Sequence, residues 1–404
     1  MGDSKQVSEV RFNEYKNYWV TSEIGKITNT YSGGTPTVGN SKYYNGLIPF
    51  IRSAEINSFS TELFITDFGL RSSSAKLVRK GDILYALYGA TSGEVGRSNL
   101  SGAINQAILA IIPNTGYDAE FISQLLRKQK PKIIGTYLQG GQGNLSGSII
   151  KDLKIAIPCI DEQTKIGELF KNLDTLINQH QTRVAQLANV KKSMLDKMFP
   201  KAAADVPEVR FRGFVERWKS CKFEDTVTFY SGLTYSPNDV QEKPGTLVLR
   251  SSNVKRGEII NADNVYVNSE VINCDFVQQG DIVVVVRNGS RSLIGKHAQV
   301  KSTIPNTVIG AFMTGIRSKQ PSFINALLDT SLFYQEVEKC LGATINQITQ
   351  GMFKKMHFMI PANENEMALI GNYFQNLDTL MAQNQKALDQ LKNLKQALLN
   401  KMFV

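Results

Sequence analysis

The sequence predicts an α+β fold made of two similar mixed α/β domains separated by a pair of long antiparallel coiled-coil helices, with a pseudo-two-fold internal repeat. Two pairs of matching segments predict the repeat. The stretch 161–199 returns at 364–403 with an identical NLDTL and an identical KMF. The stretch 7–19, VSEVRFNEYKNYW, returns at 206–218 as VPEVRFRGFVERW. One unit of about 200 residues is therefore duplicated.

The repeat sets the expected domain boundaries. It predicts a first globular domain at 1–160, a first spacer helix at 161–199, a linker at 200–206, a second globular domain at 207–363 and a second spacer helix at 364–404. A chain of 404 residues is long enough for each domain to bury its own core.

Strands of the first globular domain are indicated by runs rich in β-branched and aromatic residues that glycine or proline bounds. These runs predict strands at 48–56, 81–89 and 102–114. Helical spacing after an acidic first turn predicts a helix at 118–129. The segment 149–158 is predicted to form a short helical turn and then a last strand.

The second globular domain repeats this order of elements. Strands are predicted at 247–254, 280–289 and 308–317, a helix at 324–340 and a closing strand at 358–361.

The two globular domains differ in their connecting segments. The segments 21–47 and 220–245 share almost nothing, and neither do 57–80 and 255–279. Divergent loops on a duplicated frame indicate two different binding specificities presented by one architecture.

Both recurring segments space their seam residues alternately by four and three positions, which is the pattern of a coiled coil. The first seam is Ile166, Phe170, Leu173, Ile177, His180, Val184, Leu187, Lys191, Met194 and Met198. The second is Ile370, Phe374, Leu377, Met381, Asn384, Leu388, Leu391, Lys395, Leu398 and Met402. Polar residues occupy equivalent places, His180 with Asn384 and Lys191 with Lys395, and such residues specify register at a cost in stability. We expect the helices to pair with each other.

Composition and charge limit the kinds of protein and of binding partner that the sequence allows. The chain is 42% apolar and 20% charged, as in ordinary globular proteins, and its net charge of +10 favours a polyanionic partner, either nucleic acid or an anionic membrane surface. No apolar run of transmembrane length occurs, and the first ten residues do not resemble a signal peptide. The four cysteines are widely spaced, which indicates a reducing compartment, and we expect a cytoplasmic location.

Motifs for catalysis are absent from the sequence. There is no phosphate-binding GxxxxGK[ST] loop, no HExxH and no Pro-Pro pair of the kind that an adenine methyltransferase motif contains. His180 lies on the helix seam, while His297 and His357 have no cysteine or carboxylate at ligand spacing. The sequence therefore predicts a non-catalytic protein without a metal site.

The repeated motifs resemble those of the DNA-specificity subunits of type I restriction-modification systems. The resemblance rests on the duplicated unit, the VRF…W entry segments, the SGGTP loop at 32–36, the GDI strand starts and the helix motif IPCIDEQTKIGELFKNLDTLI at 157–177. It covers nearly the whole chain.

The second copy departs from this pattern in two places. FYSGLTYSP at 229–237 stands where the SGGTP loop would be, and Glu162-Gln163 is matched by Asn365-Glu366. This predicts a loop of different shape in the second domain.

The resemblance implies a division of labour. Each globular domain would be a target-recognition domain that reads one half of a bipartite, asymmetric site on double-stranded DNA. The helices would set the spacer and dock two methyltransferase (modification) subunits on outer faces that include Glu168, Lys171 and Gln179. Two restriction/translocase subunits would complete the complex. S-adenosylmethionine, ATP and Mg would serve those partners, so this chain would hold no cofactor and would not be an enzyme.

Side chains suited to DNA lie in the divergent loops and at strand ends. Base edges are read by Arg, Lys, Asn and Gln, while phosphates are met by cations, hydroxyls and glycine-rich loops such as 135–148 and 341–351. First-domain candidates are Thr35, Lys42, Tyr43, Tyr44, Arg52, Arg71, Arg97, Gln106, Tyr137, Gln139, Gln142 and Asn144. Second-domain candidates are Arg250, Lys255, Arg256, Arg287, Asn288, Arg291, Lys296, Asn346, Gln347 and Gln350.

Two alternatives stay open at this point. The chain could be a coiled-coil interaction scaffold that does not bind DNA, which salt-sensitive duplex binding would argue against. It could also be a DNA enzyme with an unrecognised site, which incubation with DNA and S-adenosylmethionine would test.

Overall fold

The structure is a computed structural model that describes residues 7–138, 144–201, 204–342 and 346–404. The chain forms two compact units. The first consists of Met1–Gln181 together with Lys386–Val404, and the second consists of Thr182–Gln385. Each unit therefore contains one globular domain and parts of both long helices.

The two long helices are Ile160–Met198 and Glu364–Met402, each of 39 residues. Within each unit they run antiparallel. In the first unit Asp174 of the first helix pairs with Lys395 of the second, and in the second unit Lys191 pairs with Asp378. The predicted helices and their antiparallel pairing are confirmed.

The first unit contains two four-stranded sheets and a two-stranded one. The antiparallel sheet has the order Thr28–Ser32, Ile108–Pro113, Ile83–Ala86, Val95–Arg97. The mixed sheet has the order Phe64–Ile65, Tyr44–Ile51, Gly102–Ile104, Lys76–Val78, with a parallel central pair. Val20–Glu23 pairs with Lys154–Ile157. Helices are Ile24–Ile27, Asp67–Arg71, Ala119–Tyr137 and Gly147–Lys151, with a 3₁₀ turn at Ser53–Glu55.

The second unit repeats the antiparallel sheet strand for strand. Its order is Thr228–Ser231, Met313–Arg317, Ile282–Val285, His297–Gln299. Its mixed sheet has the order Val240–Gln241, Val265–Val267, Thr246–Leu249, Thr307–Ile309. The last three strands repeat the order and directions of Phe64–Ile65, Tyr44–Ile51 and Gly102–Ile104, and the fourth strand of each sheet differs. Divergence between the halves is thus concentrated around one sheet.

Further elements complete the second unit. Lys219–Lys222 pairs with His357–Ile360, and Val254–Lys255 pairs with Glu258–Ile259. Its helices are Pro321–Leu328, Ser331–Cys340 and Gln350–Lys355. Its 3₁₀ turns are Phe223–Asp225, Pro237–Asp239, Ser251–Asn253, Ser269–Val271 and Arg291–Leu293.

Five predicted continuous elements are in fact broken. The strands predicted at 48–56 and 247–254 stop at the 3₁₀ turns Ser53–Glu55 and Ser251–Asn253. The strand predicted at 102–114 is two strands that belong to different sheets, and the run at 308–317 divides in the same way. The apolar pattern continues through each break because both flanking strands are buried, so hydrophobicity alone does not reveal the change of sheet. The helix predicted at 324–340 ends at Leu328, and Thr330 caps a new helix by accepting a hydrogen bond from the Phe333 N–H.

The KMF end of each long helix packs into the unit formed by the other repeat. Phe403, which directly follows the second helix, lies in the core of the first unit, with its ring centroid 5.2 Å from that of Phe121 and 5.5 Å from that of Phe170. Phe199, which directly follows the first helix, occupies the equivalent place in the second unit, where it contacts Phe323 and Phe374. Each globular core is therefore completed by the end of the other repeat's helix.

The VRF entry segments clamp the beginnings of the long helices. Arg11 donates two hydrogen bonds of 2.6 Å to the fully buried carboxylate of Glu162, and Arg210 holds Glu366 at 2.6 and 2.8 Å. These contacts correct the predicted alignment, because Glu162 corresponds to Glu366 and not to Asn365. The offset of 204 positions then matches the rest of the helix.

The predicted seam residues are mostly buried. Ile166, Phe170 and Leu173 belong to the core of the first unit, and Ile370, Phe374 and Leu377 to that of the second. Fully or largely buried as well are Ile177, Leu187, Met198, Leu388 and Met402. His180, Val184, Lys191, Met194, Met381, Asn384, Leu391, Lys395 and Leu398 are half-buried. The seam therefore packs against the globular domains near each helix start, as well as between the helices.

Candidate DNA interface

The strands Ile83–Ala86 and Ile282–Val285, which occupy the same place in the two antiparallel sheets, end in the same arrangement of backbone hydrogen bonds. In the first unit, the Leu87 N–H donates to the Ala107 carbonyl at 2.8 Å, and the Leu145 N–H donates to the Leu87 carbonyl at 2.9 Å. The loop that follows the strand is thereby held between two other chain segments.

The second unit makes the equivalent bonds. The Val286 N–H donates to the Phe312 carbonyl at 3.0 Å, and the Ile348 N–H donates to the Val286 carbonyl at 2.9 Å. Position 287 is thus the structural counterpart of position 88. The scaffold is shared, while the side chains that it presents, Arg287 and Tyr88, are not.

Candidate residues of the second domain converge at this strand end. The Asn288 side chain donates to Ser251 Oγ at 3.1 Å, and Lys296 Nζ donates to the Ser251 carbonyl at 3.2 Å. Burial, together with the nearby charge of Lys255, lowers the pKa of Lys296. Asn346 accepts a backbone hydrogen bond from Asn288 through its carbonyl. A single polar network therefore joins a strand end, a 3₁₀ turn and a loop.

Arg287 and Gln347 lie opposite each other in this cluster, joined by an isolated antiparallel bridge. The guanidinium of Arg287 lies 4.9 Å from the ring centroid of the exposed Phe312. Gln350 extends the surface by donating to Ser231 Oγ at 3.1 Å. These are the residue types that read base edges and contact phosphates.

Other second-domain candidates differ in their surroundings. Arg250 donates through Nη2 to the Asp263 carbonyl at 2.5 Å, whereas its buried Nε has no hydrogen-bond partner in the described chain. Arg291 is exposed and paired with Glu338 at 2.6 Å, which raises its pKa. Lys255 and Arg256 are exposed at a short hairpin, where Arg256 has a φ of +54°.

The first-domain candidates cluster around the SGGTP loop. Thr35 Oγ1 donates to Gln106 Oε1 at 2.5 Å, and the Tyr44 hydroxyl donates to the Pro36 carbonyl at 2.7 Å. Gly33 permits this approach, since a Cβ there would lie 1.8 Å from the Ile104 carbonyl oxygen. Two exposed candidates separated by 71 positions are thereby brought into contact.

The loop in the second domain follows a similar course at its start, despite the predicted difference in shape. The Gly34 N–H donates to the Ile104 carbonyl at 3.2 Å, and the Leu233 N–H donates to the Ile309 carbonyl at 2.7 Å. Gly232 passes close to the Gly310 carbonyl as Gly33 passes Ile104. The shared Ser-Gly therefore serves the same close approach in both copies.

Lys42 and Arg71 are exposed and lie close along the chain to Tyr43 and Phe68, whose rings contact each other at a centroid distance of 5.5 Å and an interplanar angle of 42°. Neither cation has an ion-pair partner within the described residues. They are therefore available to a polyanion.

Three other candidates of the first domain are engaged within the protein. Arg52 binds Glu55 and Glu62, which raise its pKa. Arg97 pairs with Glu120 and with the Gly81 carbonyl, and Tyr137 packs against the core. Asn144 is exposed beside Leu145, whereas Gln139 and Gln142 lie outside the described residues. DNA contact by these residues stays a prediction.

Sequence reasoning missed Tyr88, Phe312 and Ser251. The signal for Tyr88 lies in the repeat itself, because position 88 is the counterpart of position 287, and Arg287 has a base-reading side chain. Phe312 and Ser251 carry no base-reading signal of their own, since one is an aromatic support and the other orients Asn288.

Histidines do not form a metal site in the described part of the chain, where no cluster of three or more ligand side chains occurs. His297 is buried, with Nδ1 donating to the Gly295 carbonyl at 2.9 Å. Its Nε2 lies 3.4 Å from Asp329 Oδ1, a carboxylate that spacing along the sequence did not reveal. None of the described helices is long and apolar enough to cross a membrane.

Comparison with known proteins gives a consistent picture. The family model described as the type I restriction modification DNA specificity domain matches residues 16–189. The type I restriction enzyme MjaVIII specificity subunit of Methanocaldococcus jannaschii is 20% identical over 95% of this chain and 91% of its own length. The EcoKI specificity subunit of Escherichia coli K12 is 22% identical over 95% of this chain and 88% of its own.

A solved structure shares the fold along the entire chain. The crystal structure of the type I restriction-modification S subunit from M. genitalium superimposes with a TM-score of 0.67 at 15% sequence identity, covering 99% of both chains. This likeness supports the α+β architecture with two globular domains and long helices.

Proposed function

We propose that this chain, which belongs to the family of type I restriction-modification DNA-specificity subunits, reads a bipartite, asymmetric DNA site with one half-site per globular domain. Its relatives are named as specificity subunits, and DNA-target recognition follows from that membership. The reading of two separate half-sites is the finer part of the proposal.

One observation carries the proposal. The two domains repeat the same backbone hydrogen bonds at the strand end and present different polar side chains there, Arg287 with Gln347 in one and Tyr88 with Asn144 in the other. A duplicated frame with unlike surface residues is what two different half-sites require. Lys42 and Arg71, exposed cations that make no ion pair with the part of the chain that the structure describes, supply attraction to phosphates.

The long helices would set the spacer between the half-sites. A helix of 39 residues at ~1.5 Å per residue is roughly 58 Å long. Half-sites one turn apart are separated by ~34 Å. The helix pair is therefore long enough to act as a ruler.

We assign the chemistry to partner subunits. Two modification subunits would dock on outer helix faces that include Glu168, Lys171 and Gln179, and two restriction/translocase subunits would join them in the cytoplasm. S-adenosylmethionine, ATP and Mg would be bound by those partners, while this chain would methylate and cleave nothing itself.

The test is a map of methylated adenines in host DNA, made by single-molecule sequencing of strains with and without this chain. We expect a two-part motif that disappears when the chain is deleted. A methylation pattern unchanged by the deletion, in a strain where the partner subunits are produced, would overturn the proposal.

A further inference from the structure

Arg287 differs from three other arginines of the second unit. Arg250, Arg291 and Arg317 are held by a carbonyl or by carboxylates of the protein. Arg287 is exposed, makes no ion pair with the residues that the structure describes, and lies over the ring of Phe312. An aromatic platform limits the conformations of the guanidinium while its N–H groups stay free to donate.

Gln347 is the second side chain of this cluster to which the described residues supply no hydrogen-bond partner. Asn288 donates to Ser251, Asn346 to the Gly289 carbonyl and Gln350 to Ser231. Among Arg287, Asn288, Lys296, Asn346, Gln347 and Gln350, only Arg287 and Gln347 make no side-chain hydrogen bond with the residues that the structure describes. The network thus divides into residues that position the loop and two that remain available to a ligand.

The antiparallel bridge fixes how these two side chains are arranged. Residues directly opposite each other on such a bridge project from the same face with Cβ atoms ~5 Å apart. Base pairs stack at ~3.4 Å, so two side chains at this spacing match neighbouring base pairs better than distant ones.

The shared scaffold does not require this pair. In the first unit, the positions that correspond to Arg287 and Phe312 are Tyr88 and Ala107, although the backbone hydrogen bonds are the same. The guanidinium and its aromatic platform are therefore specific to the second domain. Since folding of the shared scaffold does not need them, we relate them to the ligand of the second domain.

We propose that Arg287 and Gln347 read two neighbouring base pairs in the major groove, a guanine by Arg287 and an adenine by Gln347. This rests on the proposed function and names the bases that one half-site contains. The Arg287 fork donates two hydrogen bonds to guanine O6 and N7, while the Gln347 amide donates to adenine N7 and accepts from N6. Phe312, Ser251 and Asn288 act as positioning residues.

The experiment is selection of bound duplexes from a randomised DNA pool by the full-length chain, followed by sequencing. We expect a two-part motif in which one half contains a guanine adjacent to an adenine on the same or the opposite strand. Arg287→Ala should reduce the preference for that guanine by about 10-fold or more, and Gln347→Ala should do so for the adenine. The other half of the motif should not change.

Two further variants separate base reading from charge and from folding. Arg287→Lys keeps the charge but not the fork, so it should lose the guanine preference while retaining most of the affinity for DNA. Arg212→Ala removes an exposed arginine of the entry segment in the same unit and should leave the motif intact. Fluorescence of Trp218, which is buried in this unit, reports that each variant is folded.

The outcomes are distinct. A wild-type chain that selects no motif would refute the proposed function and this assignment with it. A two-part motif without an adjacent guanine and adenine, or one whose guanine preference persists in both Arg287 variants, would overturn the assignment and leave the proposed function standing.

Discussion

Lys395 Nζ lies 2.5 Å from Asp174 Oδ1, and this ion pair across the two long helices is repeated by Lys191 with Asp378 at the same distance. Asp174 corresponds to Asp378 and Lys191 to Lys395, each at an offset of 204. The seam lysines Lys395 and Lys191 therefore pair reciprocally with Asp174 and Asp378. This is what the register hypothesis requires, since a shifted helix would leave partly buried charges without partners.

The third member of each cluster has opposite charge in the two units. Arg127 binds Asp174 at 3.1 Å in the first, and Asp329 binds Lys191 at 2.6 Å in the second. Each globular domain thus contacts the lysine–aspartate pair of its own unit, and the contacting side chain is an arginine in the first unit and an aspartate in the second. One cluster has two cations and one carboxylate, and the other has the reverse.

This inversion predicts unequal effects of removing the two lysines. Lys191→Ala leaves the partly buried Asp378 without its cation and Asp329 with only His297, and should lower the free energy of unfolding by about 3 kcal/mol. Lys395→Ala leaves Asp174 with Arg127 and should cost about 1 kcal/mol. Urea titration followed by circular dichroism measures both.

The matched control is Lys192→Ala, which removes an exposed lysine next to Lys191 on the same helix. It should change stability by less than about 0.5 kcal/mol. Equal losses for Lys191→Ala and Lys192→Ala would contradict a register role for the buried pair.

The KMF motif at the end of each long helix packs into the globular domain of the other repeat. We therefore expect each KMF motif to stabilise the unit that contains that domain. Phe403→Ala should destabilise the first unit and Phe199→Ala the second, each by about 3–5 kcal/mol, because both side chains fill aromatic cores. Trp19 and Trp218 are the only tryptophans, and each is buried in one unit. Replacing either by Phe leaves one fluorescent reporter per unit.

In the Trp218→Phe background, Phe403→Ala should shift the unfolding transition that Trp19 reports, and Phe199→Ala should affect it less. The reverse should hold in the Trp19→Phe background. If Phe199→Ala destabilised the Trp19 reporter more than Phe403→Ala does, the assignment of the helix ends to the two units would be wrong.

The buried His297 predicts a pH dependence of the second unit. Burial alone would lower the pKa of His297, but the Asp329 carboxylate outweighs it and raises the pKa above the ordinary value near 6.5. Lys191 pairs with the same Asp329 carboxylate, and its positive charge opposes protonation of His297. Asp378 in turn pairs with Lys191. The protonated form is therefore favoured by folding.

The direction in which stability changes with pH follows from the difference in pKa between the folded and unfolded states. Because the folded pKa is raised, the contribution of His297 to stability is fully present below pH ~6.5 and is lost as the pH rises through the folded-state pKa. Urea titrations between pH 6 and 9, read from Trp218, should show this decline. His297→Gln should flatten it, whereas the exposed His357→Gln should not. A slope that persists in His297→Gln would assign the effect to another group.

The ruler hypothesis predicts that the spacer changes only when both helices change together. Insertion of four residues after Asp174 in the first helix alone would keep the Asp174–Lys395 and Lys191–Asp378 pairs from forming together, because the second helix would keep its length between Asp378 and Lys395. One heptad inserted after Gln181 and another after Gln385 keeps both ion pairs and lengthens each helix by roughly 10.5 Å.

We expect the doubly inserted chain to recognise the same half-sites with a spacer longer by about three base pairs, since each base pair adds ~3.4 Å. The methylation map of a strain that carries it provides the measurement. An unchanged spacer in a folded, active variant would refute the ruler.

Local patterns were sufficient to predict the long helices and several strands. The four-three spacing specifies a helical seam because it depends only on neighbours within two turns. The broken strands near 105–107 and 310–312 escaped prediction, since burial on both sides hides the point at which a strand changes sheet. The alignment of Glu162 with Asn365 was wrong by one position, and only the arginine contacts of Arg11 and Arg210 corrected it.

The sequence by itself determined the duplication, the helix pair, the lack of recognisable catalytic motifs and the membership of Arg287 and Gln347 in a set of candidates. The tertiary structure decided that these two residues, 60 positions apart, face each other, and that Phe403 completes the core around Phe170. Periodicity is a local property and can be read along the chain. Contacts between distant residues depend on how the sheets and helices pack, and no local pattern encodes which of many polar side chains is left without a partner.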